Sequence, residues 1–162
     1  MAMVLNYYVD SSITPVQTAM YGVSRKHQTV SSGTSWTYFE DMANEYNLEF
    51  FQTHSSSEAK QWMLNKDNPL MICSMGPGLW TVWGHYILVW KIENDIVYIN
   101  DPYSLENIKS KNSYNYMSSQ CKQFFCFNQK VKKGSNKNSI VKIKEENKKG
   151  NIIIPTPFNM AE

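Results

Sequence analysis

Apolar residues recur at helical intervals in the first half of the chain and form short continuous runs in much of the second. "MAMVLNYYV" has the density of a buried helix, with neither cap nor turn ahead of it, and reads as a helix cut at its start. "TPVQTAMYGVSRKHQ" predicts a helix with Thr14 as N-cap and Pro15 in the first helical position. "SSGTS" is a loop around Gly33, and "WTYFEDMANEYN" spaces Trp36, Phe39, Met42 and Tyr46 along one helix face. "LEFFQT" is a short strand. In "SSSEAKQWMLNKD" a serine stands three residues before Glu58, the pattern of a capping box, and a helix follows. "PLMICSM" reads as a fully buried strand, and "GPG" turns the chain. Strands then follow over 84–92, 95–101 and 121–127, with a polar segment between the last two. Helices first and antiparallel strands second indicate an α+β domain.

At 162 residues, 42% hydrophobic and 14% aromatic, the chain fits one globular domain followed by a tail. The formal charge of +2 conceals a division. Residues 1–128 hold 8 basic and 11 acidic side chains, whereas 129–162 hold 8 lysines and 3 acids. That Lys/Asn-rich stretch lacks arginine and nearly all aromatics, so it reads as a solvated linker rather than a nucleic-acid or lipid anchor, or as a weak hairpin of 140–144 with 151–154. No apolar run approaches the roughly 20 residues of a membrane span, and no signal-peptide pattern opens the chain.

Candidate chemistry lies in "WGHYILVWKIENDIVYINDP", residues 83–102. If "END" forms a three-residue loop, Ile92 pairs with Ile96 and Ile87 falls opposite Asp101. One face then carries His85, Ile87, Val89, Val97, Ile99 and Asp101, with His85 and Asp101 diagonal neighbours about 7–8 Å apart. A carboxylate there accepts from the imidazole Nδ1–H and favours the imidazolium, which is the orienting pair of a nucleophile–His–Asp triad. A two-residue turn inverts one strand and breaks the pair. The plainer reading is a Gly-His before a strand and an Asn-Asp-Pro that ends one.

The three cysteines, Cys73, Cys121 and Cys126, have no metal-ligand spacing. Alternation puts Cys121 and Cys126 on opposite faces, so all three are read as free thiols, and Cys73 as a small buried hydrophobe. His27 and His54 have polar surroundings and no carboxylate motif nearby, and read as solvated. Trp80 and Trp83 flank the turn before Gly84 and His85, where they either line a peptide cleft or pack.

"SMGPG", "WGHYILVW", "VYINDP" and "SQCKQFFCF", in this order and spacing, resemble the bacteriocin-processing, double-glycine-type cysteine peptidases (family thirty-nine), in their stand-alone "like" branch of Gram-positive bacteria. "SITPVQTAMYGVSRKHQTVSSGTSW" is similar to that family's upstream segment, and the resemblance covers about residues 1–128. It implies a papain-like fold, peptide-bond hydrolysis through a thioester, and a peptide or protein substrate. No metal, cofactor or nucleic acid is implied. Family members are often exported or membrane-associated. The resemblance makes His85 the general base and Asp101 its orienter, with Trp80, Trp83 and Gly84 at the substrate cleft. It also implies a cysteine in a Cys-Gly-Pro-Thr-Ser motif ahead of "AMVL", preceded by an oxyanion-stabilising glutamine. Ala2 to Leu5 match the end of that segment, and neither the cysteine nor the glutamine lies within the 162 residues. Two expectations follow: an inactive chain truncated before its nucleophile, or a pseudo-peptidase that binds peptide without cleaving it.

Overall fold

Leu70–Met75 is buried at all six positions, which requires cover on both faces of a sheet. The computed structural model, which describes residues 1–29, 33–78, 80–109 and 112–130, supplies that cover. In chain order its elements are α1 (Ala2–Tyr8), α2 (Pro15–Ser24), the two-residue strands β1 (Gln28–Thr29) and β2 (Gly33–Thr34), α3 (Thr37–Glu45), β3 (Leu48–Thr53) and α4 (Ser56–Asn65). They continue with β4 (Leu70–Met75), β5 (His85–Glu93), β6 (Ile96–Asn100), α5 (Leu105–Lys109), β7 (Asn112–Ser113), α6 (Tyr114–Ser119) and β8 (Cys121–Gln129). β1 and β2 form a small ribbon; the others build one antiparallel sheet in the order β3-β8-β4-β5-β6-β7. The fold is α+β, as the run of elements predicts.

One sheet face presents Leu70, Ile72, Leu88, Phe125 and Phe127 to Val4 and Leu5 of α1 and to Phe39 and Met42 of α3. Phe39 stacks on Phe125 with ring centroids 4.3 Å apart, a contact that adds about 0.5–1.5 kcal/mol to the burial itself. The other face presents Met71, Cys73, Ile87, Val89 and Phe124 to Ala59 and Met63 of α4 and to Tyr114 and Met117 of α6. The segment expected to be merely polar between β6 and β8 thus contributes to the core. Tyr114 there donates its hydroxyl to the Ser56 carbonyl at 2.6 Å.

Local signals place the helix starts. Thr14 Oγ1 accepts from Gln17 N, and Gln17 Oε1 accepts from Thr14 N, a reciprocal cap. Ser55 Oγ accepts from Glu58 N at 3.3 Å. Helix α2 is turned inside out: Thr18 and Gly22 face the body while Val16, Met20 and Val23 are exposed. A Cβ on Gly22 would meet the Tyr38 ring at 3.2 Å, so the small residue permits the close approach.

Two β-bulges set which side chains share a face. The β5–β6 hairpin does not close through the expected three-residue "END" loop. Glu93 pairs with Ile96 across a two-residue turn, and Asn94 and Asp95 take φ of 49° and 65°, the paired positive values such turns demand. That turn alone would invert the faces. Between Val89 and Lys91 the register shifts, leaving Trp90 as the extra residue, so Leu88 meets Asn100 and Ile87 falls opposite Asp101 after all. The second shift lies at Lys122, since Ser74 pairs with Gln123 but Met75 with Cys121. It corrects the expectation from simple alternation: Cys121 packs on the same core face as Cys73 and Cys126.

Met1–Gln129 forms one compact unit. The proposed hairpin of 140–144 with 151–154 and the rest of the Lys/Asn-rich tail lie outside the described residues. Among the described residues no helix is long and apolar enough to cross a membrane.

Candidate active site

His85 begins β5 and Asp101 follows the last residue of β6, so both stand at one end of the hairpin. His85 Nε2 lies 2.6 Å from Asp101 Oδ1. The diagonal relationship expected from the pattern therefore exists, but through the other ring nitrogen than the Nδ1 anticipated. A carboxylate only accepts, so Nε2 carries the hydrogen, and in the neutral ring Nδ1 keeps its lone pair. Among the described residues nothing bonds to Nδ1. The bond holds the ring in one orientation by its Nε2 edge.

Asp101 is held more completely than the sequence suggests. Its side chain is fully enclosed, Oδ1 also accepts from Tyr103 N at 2.8 Å, and Oδ2 accepts from the Asn107 side-chain amide at 2.6 Å. The bond to Tyr103 closes an Asx turn around Pro102, which also ends the ladder because proline has no N–H to give. Burial raises the Asp101 carboxyl, but the bonds from Asn107, His85 and Tyr103 outweigh it and hold the group below the usual carboxylate range. Asn107 is the residue that sequence reasoning missed: it arrives from α5, and no local pattern ties it to Asp101.

The other predicted site residues separate. Trp83 is 87% exposed beside Gly84, on a turn in which Thr81 Oγ1 accepts from both Trp83 N and Gly84 N. Trp80, by contrast, is buried with the α4/α6 core, which corrects its placement at a cleft surface. Its large ring sits where packing removes most water-accessible apolar area. Tyr103, not anticipated, is 85% exposed and meets the His85 ring edge-on at 5.9 Å.

All three cysteines are free. Cys73 is fully buried and its thiol is pushed well up, by burial first and by Cys121 second. Cys126 is pushed up to about 12 by burial. These are protonated packing groups at neutral pH, opposite in character to a reactive thiol. His54 Nδ1 lies 2.9 Å from the Lys122 carbonyl and accordingly donates to it. His27 is not solvated as expected: its Nε2 lies 2.9 Å from Asp41 Oδ2. Among the described residues no cluster of three or more His, Cys, Asp or Glu side chains could hold a metal ion.

The start of α1 lies close to this hairpin end. Met1 and Met3 share a cavity of about 90 Å³ with Tyr86, Ile87 and Pro102, the chain neighbours of His85 and Asp101. A helix start brought to a His–Asp pair at one end of two sheet strands is the layout of a papain-like peptidase, and a family model for the Peptidase_C39 like family matches residues 1–125. The chain belongs to that family. Among solved structures this Peptidase_C39-like chain is similar to the peptidase domain of Streptococcus ComA, a bi-functional ABC transporter involved in a quorum sensing pathway. The two share 15% sequence identity at a TM-score of 0.55, over 80% of this chain and 87% of that one, which establishes the papain-like α+β fold. No curated protein matches the Peptidase_C39-like sequence.

Proposed function

We propose that this peptidase-like domain works as the base-bearing part of a cysteine peptidase acting on peptide bonds, with His85 as general base and Asp101 as its orienter. The observation that carries the reading is the 2.6 Å bond from His85 Nε2 to an enclosed carboxylate, with no partner on Nδ1 among the described residues. In this reading Nδ1 takes the proton of a thiol, the thiolate attacks the scissile carbonyl carbon, and the amine leaves with the proton from the imidazolium. Asp101 favours the imidazolium without itself being protonated. Exposed Trp83 and Tyr103 border the base and offer apolar surface to an extended peptide.

The thiol is none of the three cysteines present, because Cys73 and Cys126 are buried and protonated and Cys121 packs against them. The family's own nucleophile motif leads into the helix that begins here at Ala2, and the cavity shared by Met1, Tyr86 and Pro102 supports bringing that helix start to His85. In this reading peptide hydrolysis depends on a thiol presented to His85 Nδ1, which none of these three cysteines supplies. The test is to extend the chain ahead of Ala2 with a segment ending in Cys-Gly-Pro-Thr-Ser and treat both forms with a thiol-directed peptide probe. The extended form labels at the added cysteine, and His85→Ala or Asp101→Ala abolishes labelling. A folded extended form that binds the peptide yet never labels would establish a peptide-binding pseudo-peptidase instead.

A further inference from the structure

A second histidine–carboxylate pair stands on different elements from the first. His27 follows α2 and places Nε2 2.9 Å from Asp41 Oδ2 on α3. The same oxygen accepts from Tyr21 Oη at 3.1 Å. In the neutral ring Nε2 carries the hydrogen, because the carboxylate only accepts, and Nδ1 is then the acceptor. Facing Nδ1 at 3.1 Å is Thr37 Oγ1, whose proton is thereby directed onto the ring. Ser35 Oγ lies 2.6 Å from Thr37 Oγ1 and donates to it, since the Thr37 proton is already committed. The row has one direction throughout, from Ser35 to Thr37 to His27 to Asp41.

This is the order hydroxyl, imidazole, carboxylate in which a histidine activates an oxygen nucleophile. A bond serving only to pin β1 against α3 needs the imidazole and Asp41, but neither a hydroxyl on the second nitrogen nor open space beside it. Both are present. Ser35 and Thr37 are exposed, and Thr37, His27 and Asp41 line a cavity of about 390 Å³ together with Arg25, Glu40 and Asn44. The bond from His27, above all, holds the Asp41 carboxyl below its usual range, so it is ionised when the imidazole gains a proton.

We infer that this cavity is an acyl-transfer site in which Thr37 is the nucleophile and His27 its base, taking a small acyl group from an ester or thioester. Thr37 Oγ1 bonds to the acyl carbon while its proton passes to His27 Nδ1. The bond to the leaving oxygen or sulfur then breaks, and the alcohol or thiol departs with that proton. The product is an acyl ester of Thr37, which water resolves with the same base. Arg25, which also pairs with Glu45 at 3.4 Å, and Asn44 line the same cavity and would face the negative charge that develops on the carbonyl oxygen.

The 162-residue chain is incubated with p-nitrophenyl acetate, nitrophenolate release is followed, and the adduct is mapped by peptide mass spectrometry. The expected result is one acetyl group on Thr37, with release slowed about 100-fold or more in His27→Gln, abolished in Thr37→Val and retained in Thr37→Ser. Circular dichroism verifies the fold of each variant; should Thr37→Val unfold, Thr37→Ser and His27→Gln carry the test. Acetyl confined to lysines, undiminished release from folded His27→Gln, or no release from the folded parent chain overturns the inference.

Discussion

Asn107 donates its side-chain amide to Asp101 Oδ2 at 2.6 Å, the oxygen that His85 leaves over. Asn107→Ala removes one of three bonds that keep an enclosed carboxylate ionised. The expected cost is about 1.5–3 kcal/mol in urea unfolding at neutral pH, as for hydrogen bonds to charged groups. The Asp101 carboxyl, followed by NMR, should titrate at higher pH than in the parent chain.

Acid should expose the same arrangement. The Asp101 carboxyl sits lower in the folded chain than its usual 3.8, so the folded state binds the proton less readily than the unfolded one. The resulting stabilisation is fully present above the unfolded value and is lost as pH falls through the folded value. The stability gap between the parent chain and Asp101→Asn should therefore be constant near neutrality and shrink below pH ~4. A gap that widens on acidification would show that Asp101 is destabilised by its surroundings.

Native-state alkylation distinguishes packing cysteines from a nucleophile. Cys73 and Cys126 are fully buried with raised thiols, so iodoacetamide should modify neither until the chain is unfolded. Peptide mapping reads this directly. Rapid labelling of Cys73 in the native chain, dependent on His85, would assign it the nucleophilic role denied to it above.

The hairpin turn tolerates few side chains at its tip. Asn94 holds φ of 49°, and a β-branched residue there pays the left-handed penalty of roughly 1–2 kcal/mol. Asn94→Val should lower stability by about that amount, while Asn94→Gly stays within a few tenths. Thermal unfolding of the two variants makes the comparison.

Met1–Gln129 contains both faces of the core described above. We propose that the tail is separable: removing residues 131–162 should leave a cooperative thermal transition shifted by only a few degrees. Loss of cooperativity would show that "IIIPTPF" belongs to the folded body.

Signals confined to a few neighbouring residues were legible in the chain. Thr14 and Ser55 announce their helices because a cap is a contact across three residues, and β4 announces itself by unbroken apolarity. The His85–Asp101 pairing was legible for a different reason: two departures from the anticipated hairpin, the shorter turn and the bulge at Trp90, cancel. Where one departure acts alone, as at Lys122, the assigned face of Cys121 came out wrong. Partners brought in by tertiary packing left no mark. Asn107 reaches Asp101 from a short helix in a polar stretch, and Asp41 reaches His27 from a separate helix, so neither pair forms a motif.

The bulge at Trp90 also makes that residue a spacer the hairpin can do without. His85 and Asp101 are 16 positions apart, but only the paired residues between them fix which face each one takes. Deleting Trp90 removes the unpaired residue and leaves Ile87 opposite Asp101 across a regular two-residue hairpin, so the pair keeps its face. Deleting Ile92 instead, with turn and bulge kept, would move Ile87 opposite Asn100 and send Asp101 to the face away from His85. Related chains that lose one residue in this hairpin should therefore lose it at the bulge rather than within the paired rungs.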